Sequence, residues 1–256
     1  MGRAYSLPKL APSRVITKST LPVRCLAISP CGAKLAVGGD DAGVKLIELE
    51  SATALRSLGS QPYTRGLAFD PEGRYLASLA ADGSLSVHDL HTGKPVLQRR
   101  GTGPKLDVLG AALATPAWHP DGGSLLAVPG RDGEVSLFER LSWRLVEALP
   151  TGLGADLRAL AYSPNGVYLA ASDADGGVAV CQGAEVLARR VVPDAIQSLS
   201  WAPQADRLAV CAASEGVALW TAVIGPELLP PYADPDTAPV APGTIGLLWF
   251  ELLSRG

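Results

Sequence analysis

Apolar positions along this chain come in short alternating runs punctuated by turn residues. In Leu67 to Leu90, LAFDPEGRYLASLAADGSLSVHDL, one apolar run ends at an x-Pro corner and a second reaches an Asp-Gly turn. A third, strictly alternating run leaves that turn, so the stretch predicts three consecutive antiparallel strands. The same succession recurs in VRCLAISPCGAKLAVGGDDAGVKLIEL, PAWHPDGGSLLAVPGRDGEVSLFERLSW, LRALAYSPNGVYLAASDADGGVAVCQ and IQSLSWAPQADRLAVCAASEGVALWT. The corner prolines are Pro30, Pro71, Pro120, Pro164 and Pro203, and the turn glycines are Gly43, Gly83, Gly133, Gly176 and Gly216. Each glycine follows its proline by 12 or 13 residues. So constant an offset marks repeats of a single unit.

Successive prolines lie 41, 49, 44 and 39 residues apart, the length of one four-stranded blade. Outer strands are predicted at Ala54 to Leu58 and at Val186 to Val192. The expected fold is therefore all-β, a β-propeller of the WD-repeat type with five recognisable four-stranded blades over residues 14–221. Residues 1–13, with Pro8 and Pro12, read as a flexible arm. Arg14 to Ser19, RVITKS, reads as a strand that precedes the first unit and could serve as the outer strand of a blade, even of the fifth. Residues 222–256 read as an extended proline-rich tail. Its last segment, GTIGLLWFELLSRG, is apolar enough to dock on a blade edge or to pair with a partner.

The acids at the turns, Asp41, Asp82, Asp132, Asp175 and Glu215, recur once per unit. That recurrence predicts a structural role, accepting backbone hydrogen bonds where the chain reverses. In the second unit Leu85 and Val87 are expected to face the core, with Ser84 and Ser86 on the other face. His88 stands where many WD repeats carry tryptophan, and reads as a structural donor. Trp118, Phe138 and Trp143 are expected to pack between blades. The 49-residue interval contains an inserted loop between Leu97 and Ala114. Its basic residues Arg99, Arg100 and Lys105 are the candidate interaction loop, since binding residues concentrate on loops held by a scaffold.

Composition narrows the function classes. Hydrophobic residues make up 47% and charged residues 18%, so most of the chain can form a core. A net charge of -3 provides no basic field, and direct DNA binding is expected to be weak or absent. The cysteines (Cys25, Cys31, Cys181, Cys211) and histidines (His88, His91, His119) show no zinc-ligand spacing, so no metal or cofactor is expected. Free thiols suit a reducing compartment. No run is long enough to span a bilayer. Neither a nucleophile elbow nor a phosphate-binding glycine motif occurs, and an enzyme is not expected.

Residues 14–220 resemble the N-terminal propeller of a replication-fork adaptor family. It is the acidic nucleoplasmic, or WD-repeat and HMG-box, DNA-binding protein family, with a yeast chromosome-transmission-fidelity relative. The resemblance is carried by AWHPDGGSLLAVPGRDGEVSLFERLSW, Ala117 to Trp143, and above all by Trp118, Pro120, Pro129 and Trp143 in combination. FDPEGRYLASLAADGSLSV, YSPNGVYLAAS and ITKST support it. It implies a nuclear scaffold that couples the replicative helicase to the priming polymerase, with roles in sister-chromatid cohesion and repair. It also implies seven blades, of which these residues hold the last five; the family's second propeller and basic HMG box have no counterpart in this sequence. A generic WD scaffold, such as a substrate receptor of a ubiquitin ligase, is the alternative.

Overall fold

β-Branched and leucine-rich runs separated by Asn, Asp and Gly turns favour short strands over helices. In the computed structural model the regular elements among the described residues are all strands. It describes residues 2–6, 11–17, 19–41, 43–59, 63–106, 113–154, 156–192, 195–204, 207–212, 216–223 and 246–251. The N-terminal strands β1 (Gly2–Ser6) and β2 (Ala11–Thr17) pair antiparallel in a sheet of their own. Five four-stranded sheets follow, each a meander of consecutive antiparallel neighbours. The first contains β3 (Val23–Ile28), β4 (Lys34–Gly39), β5 (Val44–Glu48) and β6 (Ala54–Leu58). The second contains β7 (Thr64–Phe69), β8 (Tyr75–Ala80), β9 (Leu85–Asp89) and β10 (Pro95–Arg99). The third contains β11 (Ala117–Trp118), β12 (Leu125–Pro129), β13 (Glu134–Glu139) and β14 (Leu145–Pro150). The fourth contains β15 (Leu157–Tyr162), β16 (Leu169–Asp173), β17 (Gly177–Gln182) and β18 (Glu185–Val191). The fifth contains β19 (Ile196–Trp201), β20 (Arg207–Ala212), β21 (Gly216–Val223) and β22 (Gly246–Glu251).

The ends of the chain differ from expectation. The arm over residues 1–13 is not wholly loose, because its Gly2–Ser6 segment pairs with Ala11–Thr17. Two neighbouring segments close a short loop at less entropic cost than pairing with a distant strand. Residues 14–17 of the strand expected at Arg14 to Ser19 accordingly lie in this hairpin and not in the fifth blade, and Lys18 is outside the described residues. That blade is completed from the other end: β22 pairs with β21 from Ala218↔Glu251 to Val223↔Gly246. The apolar C-terminal segment thus docks on a blade edge.

The chain forms two compact units, one of Met1–Pro129 with Ser136–Glu147 and the other of Gly130–Val135 with Ala148–Gly256. In the first unit the second sheet has a core on each face. Leu67 and Leu76 pack with Val44, Leu46 and Leu58 of the first sheet. On the other face Leu79, Leu85 and Val87 pack with Leu126, Val128 and Phe138. Ser84 and Ser86, expected on the face away from the core, are consequently 3% and 2% exposed. A sheet sandwiched on both sides buries its polar-patterned face as well. In the second unit Ala170, Val178 and Val180 pack against Ile196, Leu208 and Val210.

Candidate interaction surface

At the blade turns the acids are used in different ways. Asp82 is exposed, and its Oδ1 accepts the Ser84 N–H at 2.8 Å, an Asx turn. Gly83 beside it has φ of +79°, and a Cβ there would lie 2.4 Å from the Gly103 carbonyl oxygen. Only glycine fits. Asp41 accepts Lys45 Nζ at 2.8 Å and the Ser19 hydroxyl, and the lysine ammonium is first in holding its carboxyl below the ordinary range. Asp132 supplies a left-handed residue, φ 52°. Asp175 donates its backbone N–H to Asp173 Oδ1 at 3.0 Å, and that same oxygen accepts Gly177 N–H at 2.6 Å. Asp173, only 4% exposed, is therefore the acid that organises the fourth turn. Glu215 lies outside the described residues.

Arg99, Arg100 and Lys105 are all exposed. Arg99 ends β10, with its guanidinium carbon 5.7 Å from the centre of the Phe138 ring. Lys105 sits on backbone pinned to the second sheet, since Gly103 N–H bonds Gly83 O at 3.0 Å and Leu106 N–H bonds Ala81 O at 2.7 Å. The three side chains occupy a strand end and a tethered connection. Asp107 to Ala112 are outside the described residues.

A basic feature that the sequence reading missed lies on the inner strands. The pairing register slips between Val23 and Cys25, Thr64 and Gly66, Leu157 and Ala159, and Ile196 and Ser198. Each slip is a β-bulge, which redirects a side chain out of the ladder. The residues standing in the bulges are Arg24, Arg65, Arg158 and Gln197. In the first unit Asp40 Oδ1 accepts Arg65 Nη1 at 2.8 Å and Asp40 Oδ2 accepts Arg24 Nη2 at 2.9 Å. Arg65 is completely buried, which a guanidinium tolerates only with a carboxylate against it. The two arginines, Arg24 foremost, hold Asp40 below its ordinary value. Arg24, Arg65 and Arg158 share one offset from the corner proline, so the repeat alignment carried the signal.

A second recurring arrangement joins neighbouring blades through aromatic rings. Trp118 Nε1 donates to Ala68 O at 3.0 Å, and its ring stacks with Tyr75 at 6.5 Å and 24°. In the other unit Trp201 Nε1 donates to Ala161 O at 3.0 Å and stacks with Tyr168 at 6.0 Å and 23°. The same contact is made twice. Trp143 meets Tyr75 edge-on at 5.1 Å, as the expected packing role requires. Around this cluster Arg140 reaches Glu72 and the Gly122 carbonyl, and lies 3.6 Å from Asp70. Asp70 is fully buried, and burial pushes its carboxyl above the ordinary value. His88 is 4% exposed, and burial pushes its imidazole down. Among the described residues it makes no side-chain hydrogen bond, so it serves as packing in place of the expected donor.

The second unit contains a cavity of about 390 Å³ lined by Gly152, Leu153, Asp173, Asp175 and Arg189 among others. Arg189 Nη1 closes one side by donating to Gly152 O at 2.7 Å. Among the described residues no group of three or more His, Cys, Asp or Glu side chains is placed to hold a metal ion.

Repeated four-stranded meanders, corner prolines and inter-blade tryptophans define a WD-repeat β-propeller. The β-propeller domain of Myceliophteria thermophila Cps50 (Swd1) superimposes with a TM-score of 0.66 over 92% of this chain and 73% of that one, at 19% identity. The family model of the WDHD1 first WD40 domain matches residues 2–219, and the chain belongs to that family. Minichromosome loss protein 1 of Schizosaccharomyces pombe is 26% identical over 203 residues, which cover 78% of this chain and 25% of that protein. WD repeat and HMG-box DNA-binding protein 1 of Mus musculus is 28% identical over 218 residues, 80% of this chain and 19% of the mouse protein. The chain thus spans about a fifth to a quarter of the length of these curated relatives.

Proposed function

We propose that this chain is a protein-interaction module of the replication fork, acting in the nucleus as part of a scaffold for DNA replication and sister-chromatid cohesion. The observation that carries this reading is the family match over residues 2–219, which spans every corner proline and turn glycine of the repeat. Exposed loops at the blade ends are its binding elements, and its partners are replicative helicase and priming polymerase subunits. DNA contact is weak, because a net charge of -3 releases few counterions. Affinity purification of the tagged chain from dividing cells tests the reading. Recovery of helicase and polymerase subunits is the expected result, whereas recovery of ubiquitin-ligase subunits in their place would overturn it. So would DNA binding that persists at physiological salt.

A further inference from the structure

The bulge arginines are neutralised in one unit and not in the other. Asp40 lies five residues beyond Leu35, the partner of Ile28 in the first sheet. The same count from Leu76, Leu126 and Leu169 places Ala81, Arg131 and Ala174 at that position in the next three sheets. Arg65 of the second sheet thus finds a carboxylate at this position of the sheet before it. Arg158, at the same bulge of the fourth sheet, has Arg131 at that position of the preceding sheet and Ala174 in its own. Gly130 O accepts the Leu157 N–H at 3.0 Å, so the backbones carrying Arg131 and Arg158 are bonded one residue before each arginine. Arg158 Nη1 is buried and makes no hydrogen bond among the described residues. Arg158 as a whole is half-buried, and Arg131 is exposed.

Two guanidinium groups on adjoining backbone, without a carboxylate in salt-bridge range among the described residues, form a local site of positive charge. An arginine that faces no carboxylate gains charge-assisted hydrogen bonds from an anion that reaches its guanidinium. We infer that Arg158 and Arg131 form an anchor for an anionic side chain of a protein partner, whose paired oxygens take the guanidinium fork. The oxygens are those of a carboxylate or a phosphoryl group, both of which suit the planar donor geometry of arginine. The site rests on the interaction-module reading and names the chemistry of one contact within it.

The test follows the arginine Nε–H signals of the full chain, labelled with nitrogen-15, at constant ionic strength. One arm adds inorganic phosphate and the other adds acetate. The Arg158 signal is expected to shift saturably in at least one arm, and the arm identifies the oxygen donor. Arg24 and Arg65, held by Asp40, are expected to stay in place. Arg131→Ala should weaken the binding about tenfold, the loss of one charge-assisted contact. Melting curves of Arg158→Lys and Arg158→Gln check that the fold survives, and Arg158→Lys should retain weaker binding. No shift in either arm, or an equal unsaturable drift of all arginines, would overturn the site. Partner recovery from cells could still succeed in that case, so the two readings fail separately.

Discussion

Replacing Trp118 by alanine removes a buried inter-blade indole of the first unit. The side chain is 7% exposed, stacks on Tyr75 at 6.5 Å, meets Trp143 at 6.2 Å and donates Nε1–H to Ala68 O. A tryptophan buries roughly 200 Å² of surface, about 5 kcal/mol at about 25 cal/mol/Å², and alanine retains a small share of that. The expected loss is about 3 to 5 kcal/mol, because neighbouring rings collapse only partly into the cavity. Urea titration followed by far-UV circular dichroism measures it, with Leu141→Ala as the control. Leu141 is 89% exposed, so its truncation should change stability by no more than about 0.5 kcal/mol. Combining Trp118→Ala with Tyr75→Ala should reveal a coupling of about 1 kcal/mol from the stacked pair. A Trp118→Ala loss below about 1 kcal/mol would refute the reasoning and make the ring a surface anchor.

The other expectations concern turns and buried groups. Gly133→Ala should abolish cooperative folding or lower the melting temperature sharply, since φ there is +73° and a Cβ would lie 1.9 Å from the Leu153 carbonyl oxygen. Asp82→Ala should cost only about 1 kcal/mol, the net worth of one exposed turn hydrogen bond; a larger loss by denaturant titration would show a wider role. Burial depresses His88 below its ordinary 6.5, so the unfolded chain takes up the proton first. Stability should then fall as pH drops below about 6.5, and His88→Leu should flatten that slope in pH-resolved melts; an unchanged slope would contradict the argument. Burial pushes the Cys25 thiol up to about 12 and Cys181 up to about 11, while the Ser29 hydroxyl draws the exposed Cys31 down. A thiol reagent should therefore modify Cys31 first in the native protein and reach Cys25 and Cys181 only on unfolding.

Local pattern alone determined the blades. Alternating apolar runs specify strands, corner prolines and turn glycines specify where they reverse, and an outer strand at Ala54 to Leu58 was placed to the residue. These features depend on contacts between residues near in sequence, which any reading of the chain can see. The family resemblance was legible for the same reason, since Trp118, Pro120, Pro129 and Trp143 sit at fixed offsets within one unit. Tertiary structure decided what pairs across blades. The sequence alternates Ser84 and Ser86 with Leu85 and Val87 as an open sheet would, but the first sheet packs over the face that carries the serines and buries them. It likewise left open what the apolar C-terminal segment would meet, because completing β21 with Gly246–Glu251 depends on which strand edge is free in space. The bulge arginines were visible letter by letter at Arg24, Arg65 and Arg158. That Asp40 neutralises two of them, while Arg131 takes its position before the third, follows only when successive sheets are stacked, since charge compensation depends on distance in space and not on separation along the chain.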